Sequence, residues 1–149
     1  MQKYASDKLI ADTTASIPHP YPVDGAECFI KDALHKRADK TAFVYALYVG
    51  DRFVGVCSLF AADWEQSNVE IGYWIGVPFW GKGYVTQAVS LLLMKAKELG
   101  FQTVVGKCLK RNPASKKVLE KNGFFFTKES IGCGRHEKEA VLEYTRCLE

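Results

Sequence analysis

The sequence has no hydrophobic run near the ~20 residues that a membrane-spanning helix needs. Its first seven residues also lack the apolar centre of a signal peptide. A large excess of positive or negative charge is also missing, because the chain has 20 basic and 17 acidic residues. A protein that binds nucleic acid through many phosphates needs a larger basic excess. These absences predict a cytoplasmic protein that binds neither membranes nor nucleic acids.

Paired cysteines are absent as well. The five cysteines are odd in number and widely spread, without the spacing of a zinc site or a redox dithiol. We therefore predict reduced thiols and no metal site. Cys57 and Cys108 lie in strand-like runs, where a cysteine acts as a small hydrophobic residue. The histidines lie outside any motif, and His136 is expected to be exposed in a late loop.

The apolar residues that are present follow helical and strand periods along one chain of 149 residues. No repeat or linker divides it, so residues 1–149 are predicted to form a single domain. Asp24 is expected to cap the second helix, whose apolar residues recur on one face. The predicted elements are helices at 1–17, 24–37, 85–99 and 112–123, and strands at 41–49, 53–60, 69–77, 101–109, 124–127 and 140–148. This order predicts an α/β (α+β) fold with a mixed, mostly antiparallel central sheet flanked by helices.

A glycine-rich turn between a buried strand and a long helix is the most informative segment. It reads Val77-Pro-Phe-Trp-Gly-Lys-Gly-Tyr-Val-Thr86 and offers no Ser, Thr, Asp or Asn to cap the helix. The first amides of the helix therefore lack partners, and together with the helix dipole they favour a bound phosphate. The alternative is that Gly81 and Gly83 only make a tight connection.

This segment resembles the acyl-CoA-binding motif Arg/Gln-x-x-Gly-x-Gly/Ala of the GNAT superfamily. Gly83 matches the first glycine, whereas Trp80 replaces Arg/Gln and Val85 replaces the last Gly/Ala. The stretches Glu70-Ile-Gly-Tyr-Trp-Ile and Phe79-Trp-Gly-Lys-Gly-Tyr are similar to the ribosomal-protein N-acetyltransferase (Rim) branch. Asn112-Pro-Ala-Ser, followed by Gly-Phe124, resembles a second signature of that branch.

Family members usually begin with a strand before the first helix, and this sequence begins at what looks like the middle of that helix. The fold is therefore expected to lack the first family strand. Three explanations stay open: the neighbouring strand is an edge, another chain covers it, or the sequence shown begins late. A homodimer is accordingly kept as an alternative to a monomer.

The resemblance implies that acetyl-CoA binds with its pyrophosphate on the amides of residues 81–86, while a strand amide polarises the thioester. The implied cofactor-binding residues are Ile75, Gly76, Val77, Gly81, Lys82, Gly83, Tyr84, Val85, Thr86, Asn112 and Lys117. No metal is implied. The acetyl group would pass directly to an amine.

Three residues are candidates for catalysis. Ser115 is expected to protonate the leaving thiolate, because the next aromatic residue, Phe124, lacks the hydroxyl of the tyrosine that many family members use. Its alternative is a polar residue in a first helical turn. Glu70 is either a base acting through water or a surface carboxylate. Asn112 is a helix cap that can also contact the CoA arm or the acceptor.

The acceptor must be a neutral amine. An α-amine with a pKa near ~8 is neutral far more often at pH 7 than a lysine with a pKa near ~10.4. A protein N-terminal α-amine or a similar amine is therefore expected. The alternatives are a small-molecule acetyltransferase and a non-catalytic CoA-binding domain. A nucleotide-binding loop is disfavoured, because both common glycine-rich fingerprints for phosphate are missing.

Overall fold

The computed structural model describes residues 1–132 and 134–149. Its α-helices are α1 Gln2–Ala5, α2 Lys8–Thr13, α3 Gly25–Ala38, α4 Tyr84–Leu99 and α5 Pro113–Lys121. Its strands are β1 Phe43–Val49, β2 Arg52–Asp63, β3 Asn68–Ile75, β4 Thr103–Leu109, β5 Phe125–Ile131 and β6 Ala140–Cys147. Within these residues, no helix is long and apolar enough to cross a membrane.

Six strands form one sheet in the order β1-β2-β3-β4-β6-β5. Four of the neighbouring pairs are antiparallel, and only β3 and β4 run parallel. Strand β3 lies inside the sheet, as its apolar residues on both faces indicate. The predicted mixed, mostly antiparallel sheet with flanking helices is confirmed.

The parallel pair β3 and β4 separates along its length. Residues 68–71 of β3 are paired with residues 103–106 of β4. Beyond that point β3 continues to Ile75 and β4 to Leu109 without pairing to each other. The sheet is therefore split at its centre, next to the start of α4 and of α5.

Helices α4 and α5 cover one face of the sheet and close the main core. Ala88, Val89, Leu92 and Ala96 of α4 are buried, and the left-handed Gly100 follows Leu99, where the predicted helix also ends. Leu119 of α5 is fully buried against Gly106, where an added Cβ would lie 2.5 Å from a leucine methyl carbon. This close approach fixes α5 over the split.

Three predictions about the N-terminal helices need correction. Residues 1–17 form two short helices instead of one, because the Asp7 side chain accepts from the Leu9 amide (3.0 Å) and starts a new helix. In α3 the predicted apolar face is not buried, since Ile30 and Leu34 are 49% and 63% exposed. The Asp24 side chain makes no capping bond.

The described cysteines divide by exposure. Cys57 and Cys108 are buried in the sheet as predicted, and burial raises the pKa of Cys57 to about 12. Cys28 and Cys147 are exposed. Cys133 lies outside the described residues.

Candidate functional site

A cavity of about 500 Å³ lies at the split in the sheet. Its walls come from α2, the end of β3, the glycine turn with the start of α4, and the first turns of α5. The lining residues are Ile10, Thr13, Thr14, Tyr73, Trp74, Ile75, Phe79, Trp80, Gly81, Lys82, Gly83, Tyr84, Val85, Thr86, Asn112, Ala114, Ser115, Lys117, Val118 and Lys121. Most of the predicted site residues thus border one cavity, whereas Glu70, Gly76 and Val77 do not line it.

The glycine turn adopts backbone angles that favour glycine. Gly81 and Gly83 have φ values of 74° and 79°, and no atom lies within 4 Å of a Cβ added at either. Gly83 precedes α4 without any side-chain cap, and the first helical bond runs from the Gln87 amide to the Gly83 carbonyl. The amides of residues 84–86 therefore lack intrahelical partners at the positive end of the helix dipole.

Trp80 links the glycine turn to the end of strand β3 by a hydrogen bond. Its indole Nε1 donates to the Ile75 carbonyl at 2.9 Å, although the ring is 41% exposed. Where the family motif has Arg or Gln, this chain therefore uses a donor that bonds to its own backbone.

The end of β3 presents backbone groups to the split. The Gly76 amide donates to the Val54 carbonyl (2.8 Å), so it is already satisfied by β2. Backbone groups alternate between the two sides of a strand, so the amides of Tyr73 and Ile75 point the other way, toward β4. Because β4 is not paired there, these amides are available to a ligand.

Ser115 lies in the first turn of α5, at the edge of the cavity. The Asn112 side chain accepts from the Ser115 amide at 3.3 Å, which confirms the predicted cap. The Ser115 hydroxyl lies 2.7 Å from the phenol oxygen of Tyr73. Burial is the largest cause of a pKa for Tyr73 well above its ordinary value.

Tyr73 lies within the motif Glu70-Ile-Gly-Tyr-Trp-Ile, but no role was predicted for its side chain. The signal was there, because alternation along β3 puts Tyr73 on the face of Ile71 and Ile75, which are buried. Cys108 is buried on strand β4, and burial is the largest cause that raises the pKa of its thiol.

Glu70 lies away from these groups. Its carboxylate pairs with the ammonium of Lys107 at 2.7 Å. Alternation along β3 puts Glu70 on the opposite face from Tyr73. The structure does not bring it to Ser115, and its role as a base stays a prediction.

A network of ionic groups ties the α2 end of the cavity to two loops. Arg111 pairs with the carboxylate of Glu139 and donates to the Asp12 carbonyl at 2.6 Å. His136 contacts the same carboxylate, and its Nε2 lies 2.8 Å from the Thr14 carbonyl. His136 is 6% exposed, so the expectation of an exposed loop histidine is wrong. The hydrogen bond from Arg111 is the largest cause that lowers the pKa of Glu139 to about 2.

The charged residues that the structure describes in the cavity wall are all basic. Lys82, Lys117 and Lys121 line it, and Lys121 was not predicted. The last two are four residues apart on α5 and so share one helix face. The free amides and the three lysines together favour an anionic ligand.

Comparison with known proteins agrees with this geometry. The acetyltransferase (GNAT) domain model matches residues 2–125. The ribosomal-protein-serine acetyltransferase of Escherichia coli (strain K12) is 32% identical over 92 residues, which cover 61% of this chain and 50% of the relative. The chain spans about half the length of the curated relatives it matches.

Solved structures share the fold. RimL, described as a ribosomal L7/L12 alpha-N-protein acetyltransferase and solved with coenzyme A, superimposes with a TM-score of 0.90 at 18% identity, covering 99% of this chain and 86% of RimL. The Vibrio cholerae spermidine N-acetyltransferase, solved with CoA and spermine, gives a TM-score of 0.82 at 14% identity, covering 98% of this chain and 86% of that chain. From the family match and the shared fold, the chain belongs to the acetyltransferase (GNAT) domain family.

Proposed function

We propose that this chain is an acetyl-CoA-dependent N-acetyltransferase that passes the acetyl group directly to an amine. One observation carries the proposal. An uncapped helix start, two strand amides that are unpaired among the described residues, and the Ser115 hydroxyl all border a single cavity.

The residues that border the cavity suit different parts of acetyl-CoA. The amides of residues 84–86 and the Lys82 ammonium suit the pyrophosphate. The amides of Tyr73 and Ile75 suit the polar groups of the pantetheine arm, as a neighbouring strand would. Gly76 cannot offer its amide, which already donates to Val54, and a Cβ added there would lie 3.0 Å from the Tyr4 ring.

Acetyl-CoA supplies a thioester whose carbonyl carbon accepts the lone pair of a neutral amine. One of the two free strand amides, of Tyr73 or Ile75, would donate to the carbonyl oxygen as negative charge develops there. As the new C–N bond forms and the C–S bond breaks, the sulfur leaves with the electron pair of that bond. Ser115 gives the sulfur a proton, and the nitrogen loses one, so the net proton count is unchanged.

The favoured acceptor is a protein N-terminal α-amine. The Escherichia coli relative is named for a serine of ribosomal protein, and RimL for an α-amine. An α-amine needs little help from a base, which suits a site where the Glu70 carboxylate is paired with Lys107. The cytoplasmic location and the homodimer alternative remain predictions.

A small polyamine is the second candidate, because the Vibrio cholerae neighbour is a spermidine acetyltransferase. Polycations are bound by carboxylates. Among the described residues that line the cavity, there are lysines but no Asp or Glu. This charge pattern favours the α-amine over the polyamine.

The test is release of CoA thiol from acetyl-CoA with the purified chain and a panel of acceptors. The panel contains a serine-initiated peptide, the same peptide with a blocked N-terminus, a lysine-containing blocked peptide, and spermidine. We expect turnover with the free N-terminus alone. Turnover with spermidine alone would select the second candidate. CoA binding without any turnover would leave the non-catalytic alternative.

A further inference from the structure

The hydrogen bond between Tyr73 and Ser115 joins two elements 42 residues apart in the chain. The phenol oxygen lies 2.7 Å from Oγ of Ser115 and 3.4 Å from the Ser115 carbonyl. We propose that Tyr73 is a positioning residue, which donates to Oγ of Ser115 and so leaves the serine hydrogen free to point at the leaving sulfur. This inference rests on the proposed function.

The direction of the bond follows from the chemistry of the two hydroxyls. Either oxygen can donate at this distance. Burial raises the pKa of Tyr73, so the phenol keeps its proton at neutral pH. A thiolate is a charged acceptor and forms the stronger bond with the Ser115 hydrogen. Tyr73 then supplies the donor for the Ser115 oxygen.

Tyr73 limits the rotation of the Ser115 hydroxyl. The backbone of Ser115 is fixed by Asn112, but a serine hydroxyl can still rotate among three staggered positions. The bond to Tyr73 holds the Ser115 oxygen at the cavity edge.

Tyr73 keeps its proton throughout. Ser115 gives its proton to the sulfur and regains the one that the attacking nitrogen loses, carried by water in the cleft. Loss of the phenol hydroxyl therefore slows the step without blocking it. A net hydrogen bond of ordinary strength corresponds to a loss of about 3- to 15-fold in kcat.

Steady-state kinetics of Tyr73→Phe test this, with Tyr45→Phe as the matched control. Tyr45 lies on the same face of the sheet two strands away, and its phenol oxygen is buried without a hydrogen-bond partner among the described residues. We expect Tyr73→Phe to lower kcat by about 3- to 15-fold, with the KM for acetyl-CoA within about twofold. Tyr45→Phe should leave both constants unchanged.

The double variant Tyr73→Phe/Ser115→Ala distinguishes a positioning role of Tyr73 from an unspecific loss of activity. Added to Ser115→Ala, the Tyr73→Phe change should cost nothing further, since the group it positions is gone. An equal loss of kcat in the wild-type and Ser115→Ala backgrounds would overturn the inference. So would an unchanged kcat for Tyr73→Phe in an active enzyme.

A second measurement does not depend on turnover. In Ser115→Cys, the pH dependence of alkylation, followed by mass spectrometry of the peptide that contains position 115, reports the pKa of the introduced thiol. A hydrogen bond to the thiolate lowers that pKa, so adding Tyr73→Phe should reduce the thiolate fraction about tenfold at a fixed pH below the pKa. An unchanged titration would overturn the inference. Inactivity of the wild-type protein with every amine would instead count against the proposed function, while the titration still reports on the bond.

Discussion

Gly83 allows the proposed phosphate site to be tested by charge alone. Its φ of 79° is unfavourable for other residues, but a Cβ there meets no atom within 4 Å. Gly83→Ala therefore adds backbone strain of about 1–2 kcal/mol to folding and no clash. Gly83→Asp adds the same strain together with a negative charge beside the amides of residues 84–86. The ratio of CoA affinities between the two variants isolates the effect of the charge.

The size of that ratio follows from Coulomb's law. At about 5 Å, with an effective dielectric constant between roughly 20 and 80, each pair of like charges costs about 1–3 kcal/mol. This corresponds to CoA binding that is about 5- to 150-fold weaker in Gly83→Asp than in Gly83→Ala. Because the site is open to solvent, added salt should reduce the ratio.

Isothermal titration calorimetry with CoA at two salt concentrations measures these affinities. Gly50→Ala is the matched control for strain, since Gly50 has a φ of 59° and open space around its Cβ in the β1–β2 hairpin. It should bind CoA like the wild type. Equal affinities for Gly83→Asp and Gly83→Ala at low salt would refute the assignment of the pyrophosphate to this turn.

Three further predictions concern Cys108, Asn112 and Glu139. Cys108→Ala should keep turnover within a few-fold, and mass spectrometry should find no acetyl-cysteine, because transfer is direct; a trapped acetyl group with lost turnover would contradict this. Asn112→Ala should remove the α5 cap and lower Tm by about 2–4 °C, whereas Asp24→Ala, which removes no capping bond, serves as the control in the same thermal scan. Glu139 has its pKa lowered from 4.5 to about 2, so it stabilises the fold above pH 4.5 and loses this effect as the pH falls toward 2. The Tm difference between wild type and Glu139→Gln should therefore vanish over that range, and a constant difference would contradict the assignment.

The order of elements could be predicted from the sequence because each has a local cause. Strand alternation, the helix end at Leu99 and the helix start at Asn112-Pro113 depend on residues close in sequence, and each is found where expected. The exposure of α3 could not be predicted this way. Apolar residues at helical spacing show that one face is suited to packing, but they do not show that a partner surface lies opposite Ile30 and Leu34.

The groups that meet across the cavity escaped prediction for a related reason. Tyr73 and Ser115, or His136 and Thr14, are neighbours only because β3 and β4 separate and the late loop folds back on α2. No local sequence pattern predicts a contact between residues so far apart in the chain. A polar residue on an otherwise apolar strand face is still a usable signal, since a buried hydroxyl needs a partner.

Trp80 shows what the departure from the family motif changes. The sequence suggested the loss of a polar anchor, because an indole has one donor and no charge. In the structure that donor satisfies the Ile75 carbonyl, so the indole orders the turn but adds nothing to the charge near the ligand. The positive charge that an arginine would bring must come from other residues, and the cavity wall carries it on Lys82, Lys117 and Lys121. In this chain the shape of the turn and the neutralisation of the anion are therefore assigned to different side chains.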